Sequence, residues 1–265
     1  MSIIEAIILG IIQGLTEFLP VSSSGHLEIG KAILGVELEE DLGFTVVVHF
    51  ATVLSTITVF FSEIKELLSG FFRFTWNKET RYVLKLLFSA IPVLLVGLLF
   101  EEKVEALFNS NNGKLIVVGF ALFVTAILLA LTAFIKSGKE KQIPFSDAFI
   151  MGIAQALAVI PGLSRSGSTI AAGLLLKNRR AEVAQFSFLM VLIPIIGATF
   201  LKLLEWSGSG TGGTGLFPLI TGFVTAYISG YIACRWMINV VKKGKLIWFA
   251  LYCLVIGLIS VFVSM

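Results

Sequence analysis

The sequence predicts an all-α polytopic membrane protein with an inverted-topology repeat. Each half is expected to be a re-entrant helical hairpin followed by three transmembrane helices. Three observations carry this expectation. Of 265 residues, 57% are hydrophobic and only 14% are charged, with a mean hydropathy of +0.96. A soluble domain carries about 25% charged residues. Stretches free of Asp, Glu, Lys and Arg recur, and a helix needs about 20 apolar residues to cross a bilayer. Two further segments are broken near their middles by Pro, Gly and clustered Ser. All of this fits a single membrane domain over 1–265, with repeat 1 at about 1–135 and repeat 2 at about 147–265.

The first segment, 3–35, is broken from Pro20 to Gly25. Pro and Gly stop helices. Non-helical backbone at membrane depth survives only where protein or a polar cavity satisfies it. The segment is therefore read as a re-entrant hairpin. It is not read as a secretory leader, because no basic residue precedes Lys31 and both Glu5 and Glu17 lie inside it. Spans follow at 44–62, 84–100 and 115–135, the second starting beside Lys85. Segment 147–176 is broken from Pro161 to Gly167 and is read as the second hairpin. Spans at 183–201, 216–234 and 246–264 complete the chain.

Fifteen of the twenty Lys and Arg residues fall in the connections 63–85, 136–146, 177–182 and 235–245. The positive-inside rule puts these in the cytoplasm. Six crossings then alternate only if each hairpin returns to the side it left, which puts both termini outside. Ala6, Gly10, Gln13 and Leu15 match Ala148, Gly152, Gln155 and Leu157 at constant spacing. Ser22-Ser23-Ser24-Gly25 then aligns with Ser164-Arg165-Ser166-Gly167. Three crossings separate the two copies, so their orientation inverts, and the broken hairpins are expected to meet near the midplane.

Polar groups inside the membrane are costly and mark functional sites. Gln13 and Glu17, four apart, share a helix face. His26 follows the Ser-Ser-Ser-Gly run and is suited to proton transfer near neutral pH. His49, in an otherwise apolar span, is read as a packing residue. Ser164, Ser166, Ser168 and Thr169 stand at a helix start, where hydroxyls and backbone N–H groups bind anions. Arg165 adds a guanidinium fork that matches phosphate oxygens; its alternative role is an ion pair with Glu17 that locks the hairpins together.

Several chemistries are excluded. The net charge is only +3 and no long basic block occurs, so no nucleic-acid partner is expected. Two Cys and two His without metal-type spacing cannot make a usual zinc site. The Gly-Lys-Ser end of a Walker A loop is missing. Gly162-x-Ser164 lacks the second Gly of a nucleophile elbow. The type 2 phosphatidic acid phosphatases need a second His after their Ser-Arg, and this chain has none beyond position 49.

Gln13-Gly-Leu-Thr-Glu17-Phe-Leu-Pro-Val-Ser-Ser-Ser-Gly-His26 resembles the first motif of the bacterial undecaprenyl pyrophosphate phosphatases of the bacitracin-resistance type. Pro161-Gly-Leu-Ser-Arg-Ser-Gly-Ser-Thr169 resembles the second. The resemblance extends over the whole chain in length, hydropathy and repeat layout. It implies hydrolysis of a polyprenyl pyrophosphate lipid to its monophosphate in the bacterial plasma (inner) membrane, recycling the cell-wall lipid carrier. It also implies a divalent cation, Mg²⁺ or Ca²⁺, and bacitracin resistance. By position it implicates Glu17, Ser23, His26, Ser164, Arg165 and Thr169, with Ser22, Gln13 and Ser166 beside them. On this reading Glu17 holds the cation or orients the nucleophile, and Arg165 neutralises the pyrophosphate. Ser23 or a water is the nucleophile, with His26 as its base and then acid. The site is expected to open to the outer face. A flippase for the same lipid is the alternative, since inverted repeats are also transporter architecture. A homodimer is among the expected assemblies.

Orientation is directly testable. In Lys78→Cys, an impermeant thiol reagent applied to intact cells should leave position 78 unlabelled. Labelling there would reverse the whole topology.

Overall fold

The computed structural model describes residues 1–35, 42–106, 113–136, 142–209 and 215–264. Over these the chain forms eleven helices: α1 (Ile3–Phe18), α2 (Ser23–Leu34), α3 (Leu42–Val59), α4 (Phe61–Phe71), α5 (Lys78–Ala106), α6 (Gly113–Thr132), α7 (Phe145–Leu157), α8 (Arg165–Leu175), α9 (Arg180–Ser209), α10 (Leu216–Lys243) and α11 (Ile247–Ser264). Helices α5, α6, α9 and α10 are long and apolar enough to cross a membrane. The pair α3–α4 makes a fifth if counted as one span, bent by 77°. The sixth expected span, α11, is apolar but shorter.

Both broken segments fold as two helices around a non-helical tip. Ser2 starts α1 with a capping box: its hydroxyl accepts from the Glu5 N–H at 3.3 Å, and the Glu5 carboxylate accepts from the Ser2 N–H at 2.7 Å. Helix α1 stops before Pro20 because the residue preceding a proline is driven out of the helical region, and Leu19 is extended at ψ 142°. Ser22 caps α2 by accepting from the Gly25 N–H. In the second hairpin Gly162 turns the chain at φ +93°, where a Cβ would run into the Val118 carbonyl of α6. Ser164 then caps α8 by accepting from the Gly167 N–H at 3.0 Å.

Helices pack through small residues. Gly10 and Gly14 of α1 face Gly222, Ala226 and Gly230 of α10; Gly152 of α7 lies on the Ser89 backbone of α5. Gly119 of α6 and Gly257 of α11 cross in mutual contact. Without a hydrophobic drive between helices in lipid, such close backbone approach supplies the association energy. The large aliphatics Ile4, Ile8, Ile11 and Leu15 of α1 stay exposed, as a lipid-facing stripe should. Helix α9 runs through the centre, where Phe186, Leu189 and Met190 pack with Met151, Ile170 and Met237.

The basic connections are shorter than the sequence suggested. Residues 61–71 are helical and α5 already begins at Lys78, while α10 continues through Arg235 to Lys243. Charged residues here continue the helices and do not end them. Lys85 is buried with its ammonium 5.4 Å from the centre of the Phe145 ring. Helix α5 runs on to Ala106, past the expected span end at 100; of the expected connections, residues 36–41, 107–112 and 137–141 lie outside the described residues.

Gly152→Ala should destabilise the protein by about 1–3 kcal/mol, the usual range for overpacking, because the neighbour it meets is backbone and cannot rotate away. Gly97→Ala, which meets nothing within 4 Å, is the control and should leave thermal unfolding in detergent unchanged or slightly raised. Equal melting temperatures for the two variants would contradict the close α5–α7 crossing.

Candidate active site

The two hairpin tips meet and enclose a cavity of about 40 Å³, room for a few waters. Its polar wall comes from Glu17, the serines at 22–24 and Ser164, Arg165 and Ser166; its apolar wall comes from Phe188, Val191, Leu192 and Ile195 of α9, and Thr52, Val53 and Thr56 of α3 complete the lining. The first turns of α2 and α8 both border it. The first N–H groups of a helix have no intrahelical partner and carry partial positive charge. Two such helix starts therefore face one small space, a favourable setting for an anion.

Among the described residues, Glu17 is the single carboxylate lining the cavity. One carboxylate oxygen, Oε2, accepts from the Ser23 hydroxyl at 2.7 Å and from Gln13 Nε2 at 2.8 Å. The other, Oε1, accepts from Arg165 Nη2 at 3.0 Å. The Glu17 side chain is only 7% exposed, and that of Arg165 is 29% exposed. The partnered Glu17 charge is thus held in a nearly dry setting, where an unpaired charge would be very costly. The ion pair bridges the hairpins, and so does the Ser166 hydroxyl, which donates to the Leu19 carbonyl at 3.1 Å. Ser164 and Ser166 are 3.3 Å apart through their hydroxyls, as are Ser22 and Ser24.

Other expected site residues are placed differently. His26 does not bond Ser23. Its Nδ1 lies 2.9 Å from the Ser22 carbonyl, and its Nε2 lies 2.8 Å from the Tyr252 hydroxyl, with the rings stacked at 5.5 Å. A carbonyl only accepts, so Nδ1 carries the proton and Nε2 faces Tyr252. The immediate proton acceptor for Ser23 is Glu17. Thr169 donates to the Arg165 carbonyl within its own helix at 3.0 Å and does not line the cavity. It braces the turn that carries Arg165.

Three residues enter from the structure alone. Tyr252 holds His26 from 226 positions away, a contact no local pattern signals. Thr125 of α6 accepts from the Ser164 N–H at 3.1 Å and so orients the second tip. His49, read from sequence as packing, places Nε2 4.0 Å from Glu17 Oε2. A titratable residue in an apolar span was the available signal for it.

Among the described residues no three His, Cys, Asp or Glu side chains converge as a metal cage. Gln13 Oε1, however, is buried and has no hydrogen-bond partner. Glu17, an acceptor only, fixes the amide orientation by taking the Nε2 side. One carboxylate and one bare amide oxygen are hard donors. They suit a cation that takes the rest of its shell from water and substrate phosphates, as Mg²⁺ commonly does.

Comparison with known proteins extends these motifs to the whole chain. The family model described as bacitracin resistance protein BacA matches residues 6–259. An undecaprenyl-diphosphatase of Bacteroides fragilis is 52% identical over 263 residues, 98% of this chain and 97% of that protein. One of Parabacteroides distasonis is 53% identical over 264 residues, 98% of each. One of Halothermothrix orenii is 38% identical over 267 residues, 100% of this chain and 99% of the relative.

Proposed function

The chain belongs to the bacitracin resistance protein BacA family, and from that premise we propose that it is an undecaprenyl-diphosphatase. It removes the terminal phosphate of undecaprenyl pyrophosphate in the bacterial inner membrane, which recycles the lipid carrier and confers bacitracin resistance. The observation that carries this reading is the Ser23–Glu17–Arg165 cluster, in which a hydroxyl, its proton acceptor and a phosphate-matching cation share one buried cavity.

The chemistry follows from those positions. The guanidinium of Arg165 can give a phosphate oxygen two parallel N–H donors. Gly167 N–H is already taken by Ser164, so the N–H groups of Arg165 and Ser166 remain for the anion. As the terminal phosphate draws Arg165 away, Glu17 loses its neutralising partner and becomes a stronger base towards Ser23. Ser23 Oγ then attacks the terminal phosphorus, its proton passes to Glu17, and the bridging P–O bond breaks to release undecaprenyl phosphate. Water cleaves the phosphoserine and restores Ser23. Direct attack by a water held on Glu17 is the alternative route. Positioning and charge stabilisation supply most of such a rate enhancement. Glu17 and Gln13 would hold the divalent cation, Mg²⁺ or Ca²⁺ among the options, and it would neutralise further pyrophosphate charge. His26, with Nδ1–H on the Ser22 carbonyl and Nε2 facing Tyr252, would exchange a proton with the departing group only through the Tyr252 hydroxyl.

The inverted repeat belongs to the same proposal. The first helix of each hairpin packs on the middle long helix of the opposite half, α1 on α10 and α7 on α5, while α3 meets α9 and α6 meets α11. Exchanging the halves preserves this pairing, which supports the repeat. The fifteen clustered basic residues support a cytoplasmic location for their connections, with both termini and the site mouth outside. The prenyl chain would leave along Phe188, Val191 and Ile195 of α9, on the apolar wall.

Purified protein in detergent should release phosphate from undecaprenyl pyrophosphate; a flippase would release none. In the same assay Ser23→Ala should lose far more than the roughly tenfold that one hydrogen bond accounts for. Wild type quenched in acid should carry phosphoserine at position 23. A loss under tenfold without trapped phosphoserine assigns the attack to water.

A further inference from the structure

Helix α4 leaves the end of α3 at 77°, so it does not continue the line of that span, yet one of its faces is apolar and uncovered. Phe61, Lys65 and Leu68, with Phe72 at the C-cap, are spaced by four, three and four residues and share that face. Phe61 is 62% exposed, Leu68 47% and Phe72 65%, and Lys65 is exposed beside them. The acids of the helix lie on the other face. Glu63 and Glu66 line a cavity of about 290 Å³ with Glu79, Tyr82 and Glu182, and Gly70 on the same side packs against Glu79. The turn after α4 extends the apolar face. Phe74 is 87% exposed and Trp76 70%, and the Phe72 and Phe74 rings meet edge-on at 6.5 Å. Hydrogen bonds fix this turn: Asn77 Nδ2 donates to the Gly70 carbonyl at 2.9 Å, and Asn77 Oδ1 accepts from the Thr80 N–H at 2.7 Å. Phe74 stands at φ +51°, a left-handed conformation that a bulky residue rarely adopts.

We infer that α4 and the 72–76 turn form an interfacial anchor that binds anionic phospholipid at the membrane face where α3 ends. An amphipathic helix in the plane of the headgroups buries such a face at their boundary with the acyl chains, and Trp is enriched at that depth. In water, aromatics this exposed on a strained turn would be a liability; at the interface they gain apolar burial. Lys65 and Arg73 are the only charged residues on the uncovered face, and both are exposed. Basic side chains at a membrane surface favour anionic headgroups, and the acids that would repel them are turned to the opposite side of α4. The anchor does not rest on the proposed reaction. It bears on it, because α3 carries Thr52, Val53 and Thr56 of the site cavity, and an anchor at the end of α3 sets the depth of that cavity in the bilayer. On the proposed orientation the leaflet is the cytoplasmic one.

The test places the purified protein in vesicles of equal phosphatidylglycerol and phosphatidylcholine. One lipid or the other is brominated near the headgroup end of its acyl chains, in both leaflets, so the result does not depend on orientation. Trp76 fluorescence is read as the difference between wild type and Trp76→Phe. Both brominated lipids should quench Trp76, and phosphatidylglycerol should quench it more strongly. That preference should fall by up to about fivefold for each basic side chain removed, so Lys65→Gln combined with Arg73→Gln should bring the two lipids level. Phe74→Gly should reduce quenching by both lipids, while its melting temperature in detergent stays at or above that of wild type, because glycine takes a positive φ without strain. A lowered melting temperature would make Phe74 a structural brace and overturn the anchor. Equal quenching by the two lipids in wild type would overturn the choice of anionic phospholipid. Quenching of Trp76 by aqueous iodide and by neither lipid would place this face in water, overturn the proposal and leave the face to a protein partner.

Discussion

The Glu17–Arg165 pair is the contact on which the rest of the structure depends. A carboxylate and a guanidinium are each too costly to bury alone in an apolar helical protein. Each arrives on a different hairpin, so neither hairpin can bring its charge to this depth without the other. The hairpin tips must therefore meet, and the helices around them must hold them there. Gly10 and Gly14 let α1 seat deeply on α10, and Gly152 does the same for α7 on α5. The close crossings make room for a polar centre inside a small protein.

The same pair ties stability to chemistry. A buried ion pair is weak evidence for stability in itself, but breaking one by removing a partner leaves a stranded charge. A phosphate avoids that penalty because it replaces Glu17 as the partner of Arg165 while a proton or a cation answers Glu17. On the proposed function, the free protein would hold Glu17 and Arg165 in a neutralised form that substrate charge redistributes. The small cavity agrees with this: it has room for only a few waters, so on the proposed function an anion would have to displace the internal pair to enter.

The sequence revealed what depends on local chemistry. Pro20 and Pro161 end helices, Ser22 and Ser164 cap the next ones, and Gln13 and Glu17 share a face four residues apart; all of this is readable within one turn of chain. Glu17, Ser23, Ser164 and Arg165 came together as their motifs suggested. Long-range partners were not legible. Nothing near His26 announces Tyr252, and nothing near Ser164 announces Thr125. The motif places His26 nearest in sequence as a base for Ser23, whereas in the fold that hydroxyl donates to Glu17. Hydropathy also sets helix ends too early, because Arg235 to Lys243 and the charged stretch of α4 continue as helix. An isolated histidine among aliphatics, such as His49, reads as packing until its neighbour across the bundle, Glu17, is known.

The central claim is that Arg165 serves the phosphate and does not merely balance Glu17. Arg165→Lys separates the two roles, since Lys keeps the charge but loses the fork. The decisive measurement is kcat/KM for undecaprenyl pyrophosphate beside the melting temperature of the same preparation. The account predicts a melting temperature close to wild type with kcat/KM reduced by more than about tenfold, the equivalent of about 1.4 kcal/mol of transition-state stabilisation. Near-wild-type kcat/KM in Arg165→Lys would contradict it and leave Arg165 as a structural counter-ion.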